Sequence, residues 1–532
     1  MGLDVDGTPQ TFEDAVESGM TLAWHARERG NRQAVVSHFG ERTWAKLNAN
    51  ANRLAHAMRA AGIKAGDTIA VALRNRPEFI EAFAASDRCG LRFTPINFHL
   101  KADEIGYILD NCEARVFLAD VSLGDQAAGA TSHTDALQLN LAVGGTLPGF
   151  DNYLDHLGAY PDTNIENPTR GTRMLYTSGT TGRPKGVIRP DRAPVGAAAT
   201  STSTTGLNLD PDTDTSLCTG PAYHAAPLAG DIIAPLGAGV RMVLMDKWDP
   251  EETLQLIERY QVTKCHMVAT MFHRLLQLPQ SVRERYDLSS LRRVTHGAAP
   301  TPVHVKRAMI EWFGPIIMEY YAATEGGGGF TISSEEWLRK PGSVGRLKKG
   351  YDNRIITEDG QEAGPNEIGT IYFRKPSVGG FEYYKDPQKT ADSYRGDYYT
   401  MGDLGYFDDE GYLFLTGRSA ELIISGGVNI YPQEIDDVLL QHPAVQDACC
   451  IGVPNEEFGE EVKAVVQLRP GFKADAALSQ ALRDFVREHL ASFKVPRSVD
   501  YCEDLPRLPS GKIQRRKVRE PYWADTRASA DA

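Results

Sequence analysis

Between Thr43 and Ala119 the chain alternates between helical and strand periodicity, and that alternation narrows the folds open to it. Thr43 to Ala61 carries apolar residues at helical spacing, and Thr68 to Leu73 (Thr-Ile-Ala-Val-Ala-Leu) reads as a buried strand. Pro77 to Ala85 is helical again, and Ala114 to Ala119 (Ala-Arg-Val-Phe-Leu-Ala) is a second strand. Such alternation predicts an α/β fold built of βαβ units, with a largely parallel sheet covered by helices. Ala128 to Thr163, rich in Gly, Pro, Asp and Asn, reads as surface loop. From Val344 to Leu415 short strands are punctuated by Gly, Asp and Pro, which predicts an antiparallel β-rich lobe at about 344–416. A smaller unit follows, with strands at Cys449 to Val453 and Val462 to Leu468. Its one clear amphipathic helix carries Leu478, Leu482, Phe485, Val486 and Leu490 as a single apolar stripe, read as core. The expected division is 1–416 and 417–532, with a small, polar, disordered tail from Ala524.

At 532 residues the chain exceeds a single domain of roughly 100–200 residues. The formal net charge of −13 argues against a nucleic-acid partner, which needs a basic face. The seven cysteines are odd in number and scattered, without a C-x-x-C pair, so reduced buried thiols are expected rather than a metal cluster or a disulfide framework. The acidic N-terminus is no signal peptide, and no stretch approaches the roughly 18 apolar residues of a membrane-spanning helix. A cytoplasmic protein without an integral membrane segment is the resulting expectation. The oligomeric state stays open, a homodimer included.

Residues Tyr176 to Gly186 (Tyr-Thr-Ser-Gly-Thr-Thr-Gly-Arg-Pro-Lys-Gly) carry the strongest chemical signal. Glycines let backbone N–H groups close on an anion because no Cβ blocks the approach. Thr177, Ser178, Thr180 and Thr181 bring hydroxyls around Gly179 and Gly182, and Lys185 adds a mobile positive charge. The result is a cradle for phosphate oxygens. It is no Walker A loop, because Gly186 follows Lys185 where a Ser or Thr would hold magnesium.

Other segments gain meaning beside that loop. Glu319-Tyr320-Tyr321-Ala322-Ala323-Thr324-Glu325 ends in a carboxylate, a hard oxygen ligand suited to magnesium, with aromatics upstream that could stack on a base. Asp403 stands between Gly402 and Leu404-Gly405, where it could bind ribose hydroxyls or simply cap a turn. Gly417-Arg418, Gly426-Gly427 and Leu508-Pro509-Ser510-Gly511-Lys512 follow. Alone, Lys512 would read as a solvated surface lysine.

In this order the segments resemble the adenylate-forming superfamily: acyl- and aryl-CoA synthetases, luciferase-like enzymes and peptide-synthetase adenylation domains. The resemblance runs from about Thr21 to Lys517. It implies a large N-terminal domain of stacked α/β subdomains plus a β-lobe, and a small mobile α+β C-terminal domain. It also implies a reaction in two steps: a carboxylate attacks the α-phosphate of ATP, and a thiol, usually that of coenzyme A, then attacks the acyl-adenylate. Carboxylate and triphosphate repel one another, so a cation must bridge them in the transition state. By resemblance Lys512 does this, Glu325 holds Mg2+, Thr324 binds the α-phosphate, Tyr321 stacks on adenine, and Glu319 and Tyr320 beside it belong to the ATP site. Gly297-Ala298-Ala299 matches the stretch bordering the adenine and acyl sites, and Asp403 and Arg418 should hold the ribose. The loop from Thr177 to Lys185 becomes the clamp for the phosphates that leave.

Two departures stand out. Ala322 adds a methyl where the family often has glycine, and Ala420 occupies the place of the usual Asp or Lys hinge. The hinge rotation would withdraw Lys512 and bring the Gly426-Gly427 loop to the adenylate; Ala420 can serve, since hinges need only a few adaptable residues. His224 stands where peptide synthetases have an Asp for the substrate amine, which disfavours amino acids, and it matches the residue gating the acyl pocket. No carrier-protein serine motif follows Lys512, which points to free coenzyme A. Small residues at the expected acyl site (Ala225, Ala226, Gly297, Ala298, Gly326 to Gly329), beside Tyr223, suggest volume for a medium- or long-chain fatty acid or a bulky apolar acid of the steroid side-chain or bile-acid type. A catalytic glycine loop would give the same composition without a large pocket. An enzyme loading a carrier protein in trans, an aryl-CoA ligase, a luciferase-like oxidase and a non-catalytic binder remain as alternatives.

Overall fold

The computed structural model describes residues 4, 7–177, 184–189, 209–298, 301–376, 380–418, 421–425, 428–455, 458–508 and 511–530. Its largest element is a fourteen-stranded sheet that changes character halfway across. In one half the strands Gln33–Ser37, Arg241–Leu244, Thr215–Cys218, Lys264–Met267, Arg293–His296 and Ile317–Ala323 pair parallel in that order. In the other half Gly326–Ile332, Ser343–Leu347, Tyr412–Arg418, Tyr398–Phe407, Gly369–Arg374 and Asn353–Ile356 pair antiparallel. The β-rich lobe is therefore antiparallel as expected, but it continues the parallel sheet edge to edge.

A second, six-stranded parallel sheet has the order Asp151–Asn152, Leu139–Val143, Ala114–Asp120, Thr68–Ala72, Arg92–Pro95, Thr172–Arg173. The helices Trp44–Ala60 and Pro77–Arg88 contribute to a core shared with both sheets, where Ile69 and Phe93 of one meet Met242 and Leu244 of the other. Thr43 starts the first helix by accepting a hydrogen bond from the Lys46 amide, and Pro77, needing no donor at a first turn, starts the second. The parallel pairing is what the alternation predicted, and the stacked α/β layers are what the resemblance implied.

Three expectations need correcting. Ala128 to Thr163 is not all loop: the apolar run Leu139–Val143 is a buried strand beside Ala114–Asp120, and Tyr153–Leu157 is a helix capped by Asn152. The tail from Ala524 continues the helix Arg515–Ala530, in keeping with its alanines. Finally, Gly417 and Arg418 pair with Leu404 and Asp403 inside the large sheet, so a division after Thr416 cuts a strand. We propose the division between Arg418 and Ile423, where the separate C-terminal core begins. That core lies on a five-stranded sheet and includes Leu482 and Val486 of the predicted helix, observed as Ala476–His489.

Candidate active site

One cleft of about 2240 Å³ opens where the parallel strands end and the β-lobe and C-terminal domain meet them. Ligands in open α/β sheets bind beyond the carboxyl ends of strands. Thr177, Lys185, Tyr223, His224, Ala225, Ala298, Tyr320, Tyr321, Ala322, Thr324, Glu325, Arg418 and Lys512 all border it. Residues as far apart in sequence as Thr177 and Lys512 thus meet at one place.

The phosphate-loop segment is built on a hairpin. Leu175–Thr177 pairs antiparallel with Lys185–Ile188, and Thr177 faces Lys185 in register. Met174 is buried, but Leu175 to Thr177 are only half-buried, because their three-stranded sheet is small. Lys185 Nζ lies 3.2 Å from Asp386 Oδ2 and 5.6 Å over the Tyr383 ring. Ser178, Gly179, Thr180, Thr181 and Gly182 lie outside the described residues, as do Ala299, Ala420, Gly426 and Gly427.

Strand register sets the cleft floor. His266, Thr295 and Met318 are aligned across three neighbouring strands, and all three border the cleft. Two residues on from Met318, Tyr320 shares their face and its hydroxyl is 2.9 Å from His266 Nε2. Glu319, expected to serve ATP, alternates to the other face. There it is buried, ion-paired to Lys306 of the helix Val303–Phe313, with His296 Nε2 at 3.6 Å, and it does not border the cleft. A one-residue period change separates a site residue from a core ion pair.

On the β-lobe side, Asp403 is buried and uses both oxygens: Arg418 Nε donates at 2.9 Å and Tyr321 Oη at 2.6 Å. Tyr321 borders the cleft while its ring packs near Phe330 and Phe373, at 6.1 and 5.8 Å. Glu325 accepts a 3.0 Å hydrogen bond from Tyr383, a partner that sequence reading missed because 58 residues separate the two. The run Gly326–Gly329 has four consecutive positive φ angles, from 75° to 139°, which glycine alone adopts freely. Most of the volume expected there is filled, although a Cβ at Gly328 would meet nothing within 4 Å. A Cβ at Gly326 would lie 2.5 Å from Tyr399 Oη, one at Gly327 3.0 Å from Met401 Cε, and one at Gly329 2.7 Å from the Tyr351 ring. A Cβ at Gly297 would lie 2.8 Å from Tyr320 Cζ. These glycines serve backbone shape and close packing more than acyl space. Ala298, beside them, holds φ at +69°, a strain of the kind found at functional sites.

His224 heads the short helix Ala225–Pro227, which runs into a π-helical turn, Leu228–Ile233. Burial pushes its imidazole down to about 4, so it is neutral near pH 7. Its Nε2 has no hydrogen-bond partner among the described residues, nor does the Tyr223 hydroxyl beside it. Apolar side chains of Leu228, Ile233, Leu236, Val268, Met271 and Met318 border the same side of the cleft.

The C-terminal domain delivers Lys512. Leu508 N–H donates to the Lys512 carbonyl at 2.8 Å, closing a tight turn whose Gly511 has φ +84°. Gly511 packs against Thr270, in the first turn of the helix Ala269–Leu276; a Cβ there would overlap Thr270 Oγ1. Burial holds Lys512 below the ordinary lysine value, reinforced by nearby Arg418, while Glu421 and Asp403 oppose the shift. A half-buried ammonium set among these groups and open to the cleft is suited to an anionic ligand.

Comparison with known proteins agrees with this geometry. The sequence profile described as AMP-binding enzyme matches residues 22–381, and that of the AMP-binding enzyme C-terminal domain matches 434–512. A 2-succinylbenzoate–CoA ligase of Geobacillus kaustophilus is 33% identical over 488 residues, 92% of this chain and 94% of that protein. The long-chain-fatty-acid–CoA ligase FadD13 of Mycobacterium tuberculosis is 30% identical over 521 residues, 94% of this chain and 99% of that protein. The crystal structure of the anthranilate CoA ligase AuaEII in complex with anthranoyl-AMP superposes with a TM-score of 0.85 at 25% identity, covering 95% of this chain and 97% of that one.

Proposed function

The chain belongs to the AMP-binding enzyme family, and on that premise we propose that it is an ATP-dependent, AMP-forming acid–CoA ligase. The observation that carries the reading is Lys512, half-buried on a turn from the C-terminal domain and bordering the cleft near the Asp403–Arg418 pair. In the first step the acid carboxylate attacks the α-phosphorus of ATP and pyrophosphate leaves. Lys512 supplies the charge that lets the two anions approach, an electrostatic role fixed before reaction. Asp403 and Arg418 take the ribose, Tyr321 the base, Thr324 the α-phosphate, and Lys185 with its loop the departing phosphates. In the second step the coenzyme A thiol attacks the acyl carbonyl and AMP leaves. His224, neutral and unpartnered, stands at the acid end, and Ala322 narrows the approach.

Glu325 suits magnesium: it is a hard oxygen donor on the cleft wall, oriented by Tyr383. When bound there, magnesium would neutralise triphosphate charge. Among the described residues no helix is long and apolar enough to cross a membrane. The acid is proposed to be larger than acetate, with a hydrophobic body against Leu228, Ile233, Met271 and Met318. Fatty acids and bulky ring acids both meet that description.

The test mixes protein, ATP and magnesium with a panel of acids from acetate to octanoate, aryl acids and bile acids, with and without coenzyme A, read by mass spectrometry. Acyl-CoA and AMP are the expected products. An adenylate that stalls until a carrier protein is added would favour the carrier-loading alternative, and no turnover on any acid would refute the ligase reading. A marked preference for acetate would refute the large acid.

A further inference from the structure

The wall of the acid side is apolar, yet its floor carries a polar cluster that the proposed chemistry does not use. Tyr320 and His266 both border the cleft and share one 2.9 Å hydrogen bond. Behind them Lys264, two residues before His266 on the same strand, is buried and pairs with Asp231 Oδ1 at 3.2 Å. Asp231 Oδ2 has no hydrogen-bond partner among the described residues. Tyr321 turns its hydroxyl to Asp403, on the side assigned to ribose, whereas Tyr320 turns away to a strand two places across the sheet. The Tyr320 hydroxyl thus points away from the side assigned to ribose.

The pair is held firmly. Gly297 packs so closely that a Cβ would strike the Tyr320 ring, and the Thr219 hydroxyl donates to the His266 carbonyl. Both groups are uncharged near neutral pH. Burial pushes His266 down to about 4, and burial, with Asp231 nearby, pushes the Tyr320 hydroxyl up. One shared bond cannot satisfy them. If the phenol donates to the imidazole, its oxygen still has a lone pair to offer; if the imidazole donates, the phenol has both a lone pair and its proton. A hydroxyl, donor and acceptor at once, complements either arrangement. An acid with only hydrocarbon at this point would strip water from the phenol and replace it with nothing.

We propose that Tyr320, oriented by His266, is a specificity-determining residue that binds a hydroxyl on the acid, so that the preferred substrates are hydroxylated carboxylic acids. The inference rests on the ligase reading and narrows its substrate class. The test compares kcat/KM for matched pairs in the full-length enzyme: para-hydroxyphenylpropionic against phenylpropionic acid, a hydroxylated bile acid against its deoxy analogue, and an omega-hydroxy fatty acid against the plain one. At least one hydroxylated member should lead its partner by roughly tenfold or more, as sites built around a substrate hydroxyl discriminate. Tyr320→Phe should erase that lead by raising KM for the hydroxylated member, leaving its partner and kcat little changed. His266→Gln, which keeps a hydrogen-bonding group beside the phenol, should retain most of it. Equal turnover within every pair, or equal losses on both members in Tyr320→Phe, would overturn the inference while leaving the ligase reading intact. Absence of turnover on every acid would overturn the ligase reading and this inference together.

Discussion

Replacing Gly511 by alanine tests how Lys512 reaches the cleft. Gly511 has φ +84°, where an L-residue with a Cβ pays about 1–2 kcal/mol. At about 1.4 kcal/mol per tenfold, that alone slows any step needing this docked turn by roughly 5- to 30-fold. The new methyl would also overlap Thr270 Oγ1, which adds to the loss. Thr270 Cβ lies 3.5 Å from the same point, an ordinary contact, so Thr270→Ala removes the overlap but leaves the backbone cost. Gly511→Ala should therefore lose adenylation by more than the backbone cost, and the double variant should recover to that cost and no further. Two assays separate the half-reactions: pyrophosphate exchange for adenylation, and acyl-CoA formation from a supplied acyl-adenylate for thiolysis. On the rotating-domain account only the first falls. Equal losses in both, or a double variant no better than Gly511→Ala, would refute the reasoning.

Further outcomes follow from the same site. Lys512→Ala should abolish adenylation while thioester formation from supplied adenylate persists; loss of both would count against the two-step assignment. Tyr383→Phe removes a hydrogen bond to the Glu325 carboxylate, worth about 1.5 kcal/mol for a charged acceptor, so the magnesium concentration for half-maximal rate should rise about tenfold, as titration would reveal. Acid should destabilise the fold through buried histidines. His25, His224 and His266 are each held down to about 4 by burial, so their unfolded forms bind protons first as pH falls below about 6.5. Stability present above that value is then lost down to about pH 4, by on the order of 1–2 kcal/mol per histidine at pH 5. Urea unfolding compared at pH 7 and 5 checks this, and an unchanged midpoint would contradict it.

Local pattern carried most of the fold. Thr68–Ala72 and Ala114–Asp120 announce themselves as short, largely apolar runs, and helix Trp44–Ala60 by its period. The strand Leu139–Val143 was hidden by the Gly, Pro and Asp around it, since four apolar residues broken by Asn140 are a weak signal in loop-like surroundings. Lys512 and Glu325, singled out by motif, do border the cleft; which residues face it by register was not legible. Nothing in Glu319-Tyr320-Tyr321 says which side chain faces the cleft until neighbouring strands set the register. The glycine run was misjudged for a similar reason. Its emptiness in sequence is filled in space by Tyr399, Met401 and Tyr351, residues distant along the chain.

The central claim is that a carboxylate oxygen of the substrate attacks the α-phosphorus of ATP. An acid from the panel that turns over, labelled with heavy oxygen in its carboxyl group, tests it directly. After one turnover with coenzyme A, a heavy oxygen should appear in AMP, since the carboxylate–phosphorus bond survives when the thiol displaces AMP from the carbonyl. Label found in inorganic phosphate alongside ADP, or unlabelled AMP, would contradict the account.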